Sequence, residues 1–324
     1  MNASEALGLP RLSEGLQRLE PLLTASVVTG DAFLDEVTTH LIAAGGKRLR
    51  PMLALASATA GRRDPTEEDL LGGVAVELVH LASLYHDDVM DEATIRRNVE
   101  SVNNRFGNLV AIVAGDYLLA RSAAIAAGLG TEIARLLADT LGQLCQGQVT
   151  EVRSAFQVDR TKEAYFDAIG GKTAALFATS CRIGSLTGGL PRSEIEACTE
   201  YGRALGMVFQ IRDDILDITA TEAELQKPTG QDLAEGIYTL PAIVALADPN
   251  CGTDLRALLG VPLAQPEREK ACAIVASSPG IPAALDEARR HVALAQEAAA
   301  GIGDADLRRG LGGLVAGMLD DVSL

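Results

Sequence analysis

Two acidic pentapeptides dominate the chemistry open to this chain. Asp87-Asp88-Val89-Met90-Asp91 and Asp213-Asp214-Ile215-Leu216-Asp217 share the pattern Asp-Asp-x-x-Asp, and each ends a largely apolar segment. On a helix, residues four apart lie on one face, so Asp87 with Asp91, and Asp213 with Asp217, present paired carboxylates to one side. Like charges at that spacing destabilise the helix unless something compensates them. A hard divalent cation does so, and Mg²⁺ characteristically joins one or two carboxylates to substrate phosphates. A solvated acidic face is the plain alternative for a single copy. Two copies, each directly after a core-like helix, favour a metal–diphosphate site.

The few cations gather at breaks in the apolar pattern. There are only five lysines, and three fall at Gly- or Pro-marked positions: Lys47, Lys172 and Lys227. Gly45-Gly46-Lys47-Arg48-Leu49-Arg50-Pro51 is a glycine turn with three cations, followed by proline at a helix start. A helix N-terminus flanked by Lys and Arg is a ready anion site, with Arg suited to bidentate phosphate contact. Arg96-Arg97 lies five residues past Asp91. Lys172-Thr173 is expected to open a helix after Gly170-Gly171, and Lys227 sits in a loop ten residues after Asp217. Each alone reads as an ordinary surface cation. Beside two acidic motifs, they describe a cavity for two phosphorylated ligands.

The elements that must position these residues are helices. Ala- and Leu-rich segments at Leu70–His86, Leu109–Ala127, Ile133–Val149, Ala174–Leu186, Ile195–Asp217 and Pro282–Ala300 lack strand-like alternation. Gly- and Pro-containing breaks separate them. The expectation is one large all-α domain over residues 1–324. Aromatics make up only 3% of the chain, and the net charge is −16, which argues against a nucleic-acid binder. The five cysteines show no CxxC spacing and read as thiols in a reducing compartment. The first residues lack signal-peptide character, and apolar runs such as Leu109–Ala114 fall short of the ~20 residues of a membrane span. A cytoplasmic chain with no transmembrane segment is expected.

With these residues in place, the sequence resembles the trans-isoprenyl diphosphate synthases, or polyprenyl synthetases, from about Leu34 to the C-terminal helices. Six elements occur in family order: GGKRLRP (45–51), His80 to Asp91, Arg96-Arg97, AGDYLLAR (114–121), Lys172-Thr173-Ala174, and FQIRDDILD (209–217) with Lys227, Asp232 and Thr239-Leu240-Pro241. The resemblance implies a bundle of roughly a dozen helices around a deep central cavity, and a homodimer. It implies that Lys47, Arg50, His80 and Arg97 hold the diphosphate of isopentenyl diphosphate. Asp87, Asp88, Asp91, Asp213, Asp214 and Asp217 would hold Mg²⁺, three ions per active site, bridging the allylic diphosphate. Arg96, Lys172 and Lys227 would contact that diphosphate, and Thr173 and Gln210 would line the reacting carbons. Four positions depart from the pattern: Asn98 follows the arginine pair in place of Gly, Gln148 replaces a Glu, Gln226 a Gly, and Ile237 a second lysine.

Ala82 and Ser83 lie about one turn before Asp87, where the family's short-product enzymes carry aromatic residues that cap the hydrocarbon tunnel. Small residues there imply a medium-to-long polyprenyl product. Close helix packing is the plain alternative, and a geranylgeranyl or farnesyl diphosphate synthase is the shorter-product one. A class I terpene cyclase shares the bundle and one acidic motif, but would lack GGKRLRP and a second Asp-Asp-x-x-Asp. A di-iron bundle matches Glu77-Leu78-Val79-His80 but needs a second such pair.

Overall fold

The computed structural model describes residues 7–9, 11–59, 63–220 and 229–322. Helices follow one another along nearly the whole chain: α1 (Leu12–Ala25), α2 (Ala32–Ala43), α3 (Leu49–Thr59), α4 (Glu67–Met90), α5 (Val102–Phe106), α6 (Asn108–Gly128), α7 (Thr131–Ser154), α8 (Lys162–Ile169), α9 (Ala175–Thr187), α10 (Arg192–Thr219), α11 (Gln231–Ala234), α12 (Leu240–Ala247), α13 (Gly252–Arg256), α14 (Gln265–Ser277), α15 (Gly280–Ala300) and α16 (Ala305–Ala316). The all-α expectation holds, with one addition. A two-residue hairpin, β1 (Ile95–Arg96) and β2 (Val99–Glu100), pairs antiparallel.

The chain divides into two compact units. The first comprises the described residues of Met1–Leu141, Leu176–Gly202 and Ala298–Leu314, and the second those of Gly142–Ala175, Arg203–Glu297 and Val315–Leu324. In the first unit α4 packs against α1, α3 and α6. Helix α3 is buried on every side from Pro51 to Thr59, which its nearly unbroken run of small and apolar residues permits. Helix α4 starts at a capping box in which Thr66 and Asp69 satisfy each other's backbone donors. In the second unit Tyr165, Ile169, Ile211, Ile215, Tyr238 and Leu240 join one apolar core.

Helix α6 corrects the reading of apolar runs. Its 21 residues are long and apolar enough to cross a bilayer, because Ala and Gly extend the short Leu109–Ala114 run, and only 33% of its most apolar stretch is buried. Leu109, Ile112 and Val113 on it are exposed.

Candidate active site

The first acidic motif closes α4. Asp87 and Asp88 occupy its last turn and Asp91 caps it, its N–H donating to the Asp87 carbonyl at 2.8 Å. Carboxylates at a helix C-terminus oppose the macrodipole, so this arrangement calls for cations. Arg96 supplies one: its Nε and Nη2 lie 2.7 and 2.6 Å from Asp88 Oδ1. The second oxygen, Asp88 Oδ2, is buried with no hydrogen-bond partner. Burial pushes the Asp88 carboxyl up, and Arg96 opposes that shift.

The hairpin sets Arg96 and Arg97. Its two turn residues, Arg97 and Asn98, both adopt positive φ, 52° and 62°. That is the geometry of a tight two-residue hairpin turn, which Asn tolerates well. Asn98 therefore serves where the family pattern has glycine. Arg97 donates to the carbonyls of Leu41, at 3.1 Å, and Gly45. Its guanidinium lies against Gly46, where an added Cβ would stand 2.9 Å from Cζ and would push the guanidinium from its place.

The same loop splits its cations. Lys47 is exposed, and Arg50 lies over the Phe177 ring at 4.6 Å. Arg48 turns inward, buried, to Glu20 at 2.7 Å and Glu77 at 2.9 Å. Glu77 is 1% exposed, and Arg97 lies 3.7 Å from it. Burial raises the Glu77 carboxyl and the arginines resist. Glu77 thus serves guanidinium groups, not the metal of an ExxH pair. Burial and the surrounding arginines, Arg50 first, hold His80 well below its ordinary range, so it is neutral at pH 7, one ring nitrogen a donor and the other an acceptor. Ala82 is fully buried, and the Ser83 hydroxyl, partly buried, donates back to the His80 carbonyl at 2.8 Å.

In the second unit, Lys172 and Thr173 occupy a π-helical segment, Gly170–Ala174, that joins α8 to α9 without a break. This corrects the expected helix start: there is no free N-terminus here, and the cationic group at this position is the Lys172 ammonium. π-Helical turns recur at functional sites because the extra residue re-aims side chains. Lys172 Nζ bonds Glu151 Oε1 at 2.5 Å. The Thr173 hydroxyl donates to Gln210 Oε1 at 2.7 Å, and Gln210 Nε2 donates to Asp214 Oδ1 at 2.9 Å.

Helix α10 carries the second acidic motif near its C-terminal end. Asp213 bonds Arg212 at 2.9 Å, and Arg212 also pairs with Asp321 from the C-terminal stretch. Asp214 is nearly fully buried and accepts from the Tyr165 hydroxyl at 2.6 Å; burial drives its carboxyl upward. Asp217 accepts from the Asp232 N–H at 3.3 Å, and its carbonyl accepts from the Gly230 N–H at 2.7 Å. Lys227 and Gln226 lie outside the described residues.

The structure thus joins Asp88 with Arg96 in one unit, and Thr173, Gln210 and Asp214 in the other. Glu151 and Tyr165 were not among the sequence candidates, and Glu77 was weighed only as half of an ExxH metal pair. Glu77 carries a signal, a lone carboxylate inside the apolar stretch Val74–Val79. Tyr165 carries a fainter one, two turns before Lys172.

Among the described residues no three His, Cys, Asp or Glu side chains form a metal cage by themselves. The donor set nonetheless fits Mg²⁺, which completes its shell from water and substrate phosphate. The orphaned Asp88 Oδ2 is an oxygen ligand of the required kind.

Comparison with known proteins agrees with this chemistry. Residues 31–275 match the polyprenyl synthetase family. The chain is 37% identical over 318 residues to a nonaprenyl diphosphate synthase of Mycobacterium tuberculosis, covering 97% of this chain and 95% of that one. A decaprenyl diphosphate synthase from Rhodobacter capsulatus superposes with a TM-score of 0.89 at 33% identity, over 97% of this chain and 98% of that one. A geranylgeranyl pyrophosphate synthase from Corynebacterium glutamicum, complexed with calcium and isoprenyl diphosphate, superposes with a TM-score of 0.85 at 36% identity, over 97% of each chain. The chain belongs to the polyprenyl synthetase family.

Proposed function

We propose that this chain is a trans-polyprenyl diphosphate synthase that condenses isopentenyl diphosphate head-to-tail with an allylic diphosphate and makes a medium-to-long-chain product. The Asp88 carboxylate carries the reading: one oxygen is clamped by Arg96, and the other is buried and unpartnered. Asp87, Asp88, Asp91, Asp213, Asp214 and Asp217 are the carboxylates that would hold Mg²⁺, three ions in this reading, with the allylic diphosphate. The bound calcium of the Corynebacterium glutamicum neighbour supports a divalent-metal requirement. When bound, Mg²⁺ neutralises the charge that develops on the departing diphosphate. Arg96, Lys172 and Lys227 hold that diphosphate, while Lys47, Arg50, His80 and Arg97 hold the diphosphate of isopentenyl diphosphate. Thr173 and Gln210 face the reacting carbons. The allylic C–O bond breaks as diphosphate departs, the double bond of isopentenyl diphosphate attacks the resulting allylic cation to form the new C–C bond, and the departed diphosphate takes up the proton that is lost.

Two full-length neighbours make nonaprenyl and decaprenyl diphosphates, and the small side chains of Ala82 and Ser83 favour a long product here too. The geranylgeranyl-forming neighbour, at similar identity, keeps the shorter-product reading as its alternative. The two compact units work as a single polyprenyl synthetase domain, in keeping with a family match that spans 31–275. A homodimer in the cytoplasm is part of this reading, and the exposure of the apolar Leu109, Ile112 and Val113 on α6 supports pairing between chains. Incorporation of labelled isopentenyl diphosphate onto farnesyl diphosphate tests the reaction. It stops on addition of EDTA and resumes with Mg²⁺; incorporation indifferent to EDTA overturns the metal-dependent reading.

A further inference from the structure

The hydrogen bonds around Asp214 run in one direction. Gln210 turns its amide nitrogen to Asp214 Oδ1, at 2.9 Å, which leaves its amide oxygen to accept from the Thr173 hydroxyl at 2.7 Å. Thr173 then donates its only proton into the protein, and its remaining lone pairs face away from Gln210. The Tyr165 hydroxyl fills the other carboxylate oxygen at 2.6 Å. The Tyr165 ring lies 5.7 Å from the Arg160 Cζ. Arg160 is 8% exposed and anchored on the Tyr238 carbonyl at 3.0 Å, while its Nε and Nη2 have no hydrogen-bond partner. A guanidinium buried with so few partners is costly, and the face of an aromatic ring offsets part of that cost. Arg160 and Tyr165 thus brace each other beside the acidic motif.

We propose that Tyr165, braced by Arg160, is a positioning residue that sets the polarity of the Gln210–Thr173 pair through Asp214. The inference rests on the prenyl-transfer reading and deepens it. With both Asp214 oxygens occupied, the carboxylate cannot rotate away from Gln210, and the Thr173 hydroxyl stays turned with lone pairs outward. That polarity suits a carbon centre that gains positive charge in the transition state. Without the Tyr165 hydroxyl, Asp214 Oδ2 is a buried orphan, the carboxylate turns in search of a donor, and Gln210 loses its fixed orientation.

The test is steady-state kinetics on the purified full chain with farnesyl diphosphate, isopentenyl diphosphate and Mg²⁺. Tyr165→Phe lowers kcat by roughly tenfold to a hundredfold, the effect of leaving one buried polar atom unsatisfied. The KM for isopentenyl diphosphate moves by less than about twofold, because a residue acting only on the transition state leaves ground-state binding alone. In a Gln210→Leu background, where the relay is already cut, Tyr165→Phe adds almost nothing. Arg160→Met shows the same split in weaker form, and serves in place of Tyr165→Phe should thermal melting show that variant unfolded. A kcat for both variants equal to wild type, or a full additive loss in the Gln210→Leu background, overturns the inference. Wild-type chain that does not turn over at all overturns the prenyl-transfer reading instead, so the two failures are distinct.

Discussion

Replacing Gly147 with alanine probes how the second unit aims Lys172 and Thr173. A Cβ at this position on α7 would stand 2.4 Å from the Lys172 backbone nitrogen and 2.8 Å from the Ala168 carbonyl oxygen, whereas ordinary contact begins at 3.4 Å. The neighbours are backbone, so they cannot swing aside as a flexible side chain would. In a close-packed interior the π-helical segment must retreat by about 1 Å. Overpacking of this kind costs about 1–3 kcal/mol of stability. A displacement of about 1 Å in groups that position a reaction can lower its rate by roughly a hundredfold. Circular dichroism and thermal melting report the first effect, and initial rates at saturating substrates the second. The expected result is retained helicity, a lowered Tm and a kcat reduced by roughly tenfold to a hundredfold. Gly142→Ala, on the same helix but with nothing within 4 Å of an added Cβ, is the control, and its kcat stays at the wild-type level. A Gly147→Ala enzyme with wild-type kcat would refute the claim that this contact fixes Lys172 and Thr173.

Two further substitutions bear on the first unit. Glu77→Gln removes the buried counter-charge of Arg48 and Arg97 and should cost about 3–5 kcal/mol, seen as a lower urea midpoint, with a raised KM for isopentenyl diphosphate; unchanged values for both would show that Glu77 does not organise the loop. Ala82→Phe should shorten the products while turnover continues, and an unchanged length distribution would mean that this fully buried position does not line the hydrocarbon path.

The sequence made the helices and the two acidic motifs legible because both depend on local spacing. Periodicity located the body of α4, α6, α7 and α10, and the structure lengthens most of them by a few residues at each end. What escaped was long-range pairing. Arg48 reads like its neighbours in GGKRLRP, and only its contact with Glu77, 29 residues away, shows that it serves the core. Tyr165 meets Asp214 across 49 residues, a distance no motif spans. The β1–β2 hairpin is too short to show a period of two, so Asn98 reads as a departure until its positive φ explains it. Gly170-Gly171 reads as a helix break, yet the backbone there winds on as a π-helix.

The most direct test of the account is to size the products of the wild-type chain. Farnesyl diphosphate, labelled isopentenyl diphosphate and Mg²⁺ are incubated with the enzyme, and the dephosphorylated products are separated by length. The expected result is a ladder that runs well beyond twenty carbons, with no product when Mg²⁺ is chelated. A ladder stopping at fifteen or twenty carbons would contradict the long-chain assignment, and absence of any elongated product would contradict the proposed reaction itself.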